Sequence, residues 1–174
     1  MTDYDFTAWE AYALGPRSAS TVEKFLKAYV DKACLVRQDT YRVLAHGRPE
    51  LGERPLVTLQ FPDLQSVIQA GMEQRRVFFF SLPPKDKQFI RVTLGFCEDD
   101  TLVFGLSRPE STDVADVKEN LMKLIERLHC RMGLLAVERA PPLSEKEFKE
   151  AASLDWVLCF WSGSDDGAMP RHDP

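Results

Sequence analysis

Residues 77–106 read VFFFSLPPKDKQFIRVTLGFCEDDTLVFGL, and this stretch decides the fold class. Three apolar runs, Val77 to Leu82, Phe89 to Phe96 and Thr101 to Leu106, are separated by Pro83-Pro84 with a charged segment and by Glu98-Asp99-Asp100. Short β-rich runs divided by turn chemistry predict an antiparallel meander. Within the second run Ile90, Val92, Leu94 and Phe96 alternate with Phe89, Arg91, Thr93 and Gly95. The alternation predicts a covered face and an Arg91 face that meets solvent or a partner. Phe78-Phe79-Phe80 puts aromatic rings on both faces, so the second face also needs a cover: a helix, a partner or another copy of the chain.

On the C-terminal side, Ser111-Thr112-Asp113 offers a cap to a helix whose apolar residues Val114, Val117, Leu121, Leu124 and Leu128 recur at three and four. Gly133 is its expected stop. Leu134 to Glu138 reads as a strand and Pro141-Pro142 as a break. Ser144-Glu145-Lys146-Glu147 is a capping box for a helix to Ala152, and Trp156 to Trp161 is a closing strand. On the N-terminal side, Leu56 to Phe61 is a strand, and Asp63 caps a helix carrying Leu64, Val67 and Ile68 to about Arg75. Thr40 to Leu44 is a short strand. Ser20-Thr21-Val22-Glu23 is read as a capping box for a helix with Val22, Phe25, Leu26, Tyr29, Val30 and Ala33 on one face, and Phe6 to Leu14 as a short helix ended by Gly15-Pro16.

Adjacent strands mixed with helices predict an α+β fold: a single domain over 1–163 with an antiparallel or mixed sheet, a central three-strand meander and helices mainly on one face. Residues 164–174 hold no core-forming cluster and are expected to be a flexible tail. The 174 residues are 44% hydrophobic and include 11 Phe, which is ample for a packed core.

The formal net charge of -5 disfavours nucleic acid and anionic membrane surfaces as partners. No apolar run approaches the roughly 18–20 residues of a membrane span, and acids occupy the N-terminus where a presequence carries bases. A cytoplasmic protein is therefore expected. Cys34, Cys97, Cys130 and Cys159 are widely scattered and read as thiols, mostly buried.

Motifs of chemistry are scarce. The nine glycines form no phosphate loop, dinucleotide fingerprint or nucleophile elbow, so no cofactor is expected. His129 and Cys130 are neighbours at a helix end, but successive helical residues diverge by about 100°, which favours a C-terminal cap beside a buried thiol over a metal site. The candidate binding residues are Arg75, Arg76, Lys85, Lys87 and Arg91, which against Glu73 and Asp86 give residues 73–91 a local charge of +3.

The composition predicts a non-catalytic protein-binding domain with an unidentified protein partner, compatible with a bacterial immunity-type or chaperone-like role; a homo-oligomer is compatible with it too. Two alternatives are an enzyme whose motif-free site is assembled from loops, with His46, Arg42 and Glu138 as members, and a small-ligand sensor with an apolar cavity beneath the meander.

Overall fold

A computed structural model describes residues 8–35, 41–45, 57–73 and 76–163. The chain is α+β. The elements run β1 (Ala8–Pro16), α1 (Ala19–Tyr29), α2 (Lys32–Leu35), β2 (Tyr41–Ala45), β3 (Val57–Phe61), α3 (Leu64–Met72), β4 (Phe78–Leu82), β5 (Arg91–Phe96), β6 (Thr101–Pro109), α4 (Val114–Leu128), β7 (Met132–Val137), α5 (Glu145–Ala151) and β8 (Val157–Ser162). The strands form one sheet in the order β3-β2-β4-β5-β6-β1-β7-β8, and every neighbouring pair is antiparallel. The meander β4-β5-β6 lies inside it, as the turn chemistry predicts.

The first element overturns its sequence reading. Residues 8–16 form not a helix but a strand, paired along its whole length with β6 and over Trp9 to Leu14 with β7. Three alanines and a glutamate favour a helix by local propensity, but partners on both sides override that preference. The alanines serve packing instead. Ala11 and Ala13 face α4, and Ala13 stands opposite Gly133, where a Cβ would come within 2.6 Å of Ile125 Cδ1. Small residues here let α4 lie close to the sheet and bury Leu121, Leu124 and Ile125.

Two further readings are corrected. Helix α1 is capped by Ser18, whose Oγ accepts from Thr21 N at 3.2 Å, and Ser20 falls inside the first turn because only Arg17 separates β1 from the cap. Helix α4 ends at His129, which adopts the left-handed conformation at φ 52 while Cys130 N donates to Ile125 O at 2.9 Å. Gly133 lies within β7. Caps at Asp63, Asp113 and Ser144 form as read. At the last, Glu147 reaches back to Leu143 N at 2.8 Å rather than to the serine amide.

Both faces of the sheet are packed. The larger cluster, under α1, α3 and α4, joins Phe25, Phe78, Phe96, Phe104, Leu121 and Leu124. The other joins Tyr12, Leu14, Val103, Leu143 and Phe148 beneath α5, with Phe79 packed at its margin. The Arg91 face is thus largely closed: Thr93, two residues on, is buried. β5 begins only at Arg91, and Ile90 is 45% exposed. Thr40, Leu56 and the proposed tail 164–174 lie outside the described residues.

Candidate binding groove

The most polar part of the interior is a ladder across three strands. Register places Glu10 of β1 opposite Ser107 of β6, and Ser107 opposite Arg91 of β5, all on the α5 face. Glu10 is fully buried. Its Oε1 accepts from Arg91 Nη2 and its Oε2 from the Ser107 hydroxyl, while Arg91 Nε donates to Ser107 Oγ at 3.0 Å. Tyr12 OH donates to the carbonyl of Arg139 and stands 3.4 Å from Glu10 Oε2. Burial raises the Glu10 carboxyl above its ordinary value, and the hydrogen bond from Ser107 and the charge of Arg91 oppose that rise. Both carboxylate oxygens are engaged within the protein. A carboxylate so held ties the three strands together.

Of the cations expected to make a patch, Arg76 stands apart from the others that are described. Arg91 is drawn to Glu10 and its side chain is 46% exposed. Arg76 precedes β4 and the exposed Lys85 and Lys87 follow it, so the strand's length, about 16 Å for five residues, lies between them. Lys85 docks on α1, its N donating to Tyr29 O at 2.8 Å. Arg75 lies outside the described residues. Two members of the loop-assembled site, Arg42 and Glu138, lie far apart. Arg42 is on β2 and Glu138 follows β7; four strands intervene, about 24 Å at the usual spacing. His46 lies outside the described residues. His129 caps a helix, as its position implies, and the adjoining Cys130 thiol is pushed up to about 12 by burial.

A different surface is concave and apolar. At the end of the sheet where β1 and β8 begin, a groove of about 1020 Å³ runs between α4 and the segment joining α5 to β8. Trp9 and Val114 line one side, Leu154, Val157 and Leu158 the other. Trp9 is fixed from behind: its Nε1 donates to Glu110 O at 3.0 Å and to Thr112 O at 3.2 Å, joining the start of β1 to the turn before α4. The opposite wall is shaped by successive tight turns, Leu154 N to Ala151 O and Val157 N to Leu154 O, each at 3.0 Å, which hold Leu154 outward. Leu158 is displaced by a register shift, Leu135 pairing with Cys159 but Ala136 with Val157. This bulge turns the side chain out of the regular alternation. Among the described residues the exposed large apolar side chains are Ile90, Leu154 and Leu158, and two of the three line this groove. Lys118 and Lys149 stand at its rim, from α4 and α5, with Asp155 between turns.

Sequence reasoning missed the groove because its residues come from three distant segments. The one local signal is Leu154 in the polar link between helix and strand.

No family model matches this chain, and no curated protein matches it. Among solved structures, the "Pseudomonas aeruginosa T6SS protein PA0821" is similar with a TM-score of 0.37 and 12% sequence identity over 75% of this chain. The matched region spans 40% of that protein's length. Among the described residues no helix is long and apolar enough to cross a membrane.

Proposed function

We propose that this chain is a non-catalytic protein-binding domain, and that the groove between α4 and the α5–β8 link receives its partner. The observation that carries the reading is the pair of leucines, Leu154 and Leu158, 44% and 38% exposed beside a Trp9 held by two hydrogen bonds. Exposed apolar side chains gathered around a fixed aromatic and rimmed by charge are the kind of patch that marks an interaction surface. An immunity-type or chaperone-like role is compatible with such a surface. Lys85 and Lys87, exposed in the turn after β4 at the same end of the sheet, would add long-range attraction for an acidic partner.

The test compares wild-type chain with Leu158→Asp, used at matched melting temperature, in capture from the source organism followed by calorimetry with the purified captured protein. A stoichiometric complex that the substitution weakens by tenfold or more supports the reading. A complex indifferent to Leu158→Asp and to Leu154→Asp places the partner elsewhere.

A further inference from the structure

We infer that the occupant of the groove is a short segment of a partner protein presenting a large aliphatic or aromatic side chain with a carboxylate within one or two residues of it; this rests on the protein-binding reading above. The chemistry follows from the walls. At about 1020 Å³ the groove exceeds what one side chain fills and suits several residues of a peptide. Of its apolar lining residues, Trp9, Val114, Leu154, Val157 and Leu158, only the indole carries a side-chain donor, and that N–H is spent on Glu110 and Thr112. The cations come from opposite sides. Lys149 shares its charge with Glu145 at 2.7 Å, whereas half-buried Lys118 has no carboxylate within 4.0 Å among the described residues. With Lys149 held by Glu145, Lys118 is the rim lysine left to answer an incoming charge. An acid beside the apolar anchor would meet Lys118 where a basic residue would be repelled.

Two other modes of occupancy fit less well. Strand addition needs a regular outer edge, and the bulge at Val157 and Leu158 breaks the ladder at this end of β8. A symmetric dimer with its axis at Lys118 would set that lysine against its own copy, which repels.

The test is selection from a random displayed-peptide library on the full chain, with parallel selection on Leu158→Asp. Sequences enriched on the wild type alone should carry an acid beside an aliphatic or aromatic residue. Their Kd should rise about tenfold in Lys118→Ala/Lys149→Ala, the scale of two partly exposed ion pairs. That pair leaves the apolar walls intact, and its loss of affinity should shrink at high salt. Groove-dependent peptides with neutral or basic flanks would overturn the acid requirement while leaving the protein-binding reading standing. If no sequence separates wild type from Leu158→Asp, the groove itself is refuted as the site.

Discussion

Glu10 and Arg91 lie two strands apart on one face of the sheet and are joined through Ser107 on the strand between them. The pairing makes Arg91 a structural cation, although its place in a charged stretch suggests a contact for a partner. Arg91→Ala should therefore cost stability, by about 2 kcal/mol; complete burial of the pair would put it at about 3–5, and the half-exposed guanidinium lets water replace part of the interaction. Glu10→Gln/Arg91→Ala should recover most of the loss, because no buried charge is left uncompensated. Urea melts of the three variants check this, and an unperturbed Arg91→Ala midpoint would dismiss the ladder.

The same carboxyl gives a pH signature. Burial raises its folded pKa above the ordinary 4.5, so the folded chain binds the proton more tightly than the unfolded chain. The resulting stabilisation is fully present below the unfolded pKa and is lost as pH rises through the folded value. The stability of wild type minus that of Glu10→Gln should accordingly fall from about pH 4.5 upward and then level. A difference that grows over that window would mean that Arg91 and Ser107 outweigh desolvation.

Thiol reactivity should sort by burial. Cys97 and Cys130 are buried and pushed up to about 12, Cys159 is buried and raised, and Cys34 is exposed with its Sγ 3.2 Å from Asp31 Oδ2. Alkylation of native protein at pH 8, followed by mass spectrometry, should label Cys34 first and the other three only on unfolding. Rapid native labelling of Cys130 would contradict its burial under α4.

Gly71 sits in α3 over Phe96, where an added Cβ would come within 2.3 Å of the ring. Glycine to alanine in a helix ordinarily gains about 0.5–1 kcal/mol, but the clash should reverse the sign, and Gly71→Ala is expected to destabilise by about 1–3 kcal/mol. A thermal melt at or above the wild-type midpoint would show that α3 can shift away from β5.

In the larger core, Leu124 is fully buried, and Leu124→Ala should cost about 2–5 kcal/mol in a denaturant melt. A loss below about 1 kcal/mol would mean that α4 packs loosely against β1 and β7.

Much of the architecture was legible locally. The caps at Asp63, Asp113 and Ser144, the stripe of α4 and the β4-β5-β6 meander depend on neighbours within a few residues, so periodicity and turn chemistry suffice to place them. Residues 8–16 were not legible. Their strand state is imposed by β6 and β7, about a hundred residues away in sequence, and the alanines that misdirect local propensity are the ones that admit α4.

By itself the sequence determined the α+β class and most of the separate elements, β1 excepted, because hydrogen bonding and amphipathicity at short range are written in residue spacing. Only the tertiary structure decided which side chains meet. It took Arg91 from the surface island to Glu10, put the length of β4 between Arg76 and Lys85, and assembled Trp9, Val114, Leu154 and Leu158 into one groove. Such meetings depend on strand order and register, and a single-residue change of register exchanges the two faces of a strand; spacing along the chain does not specify it.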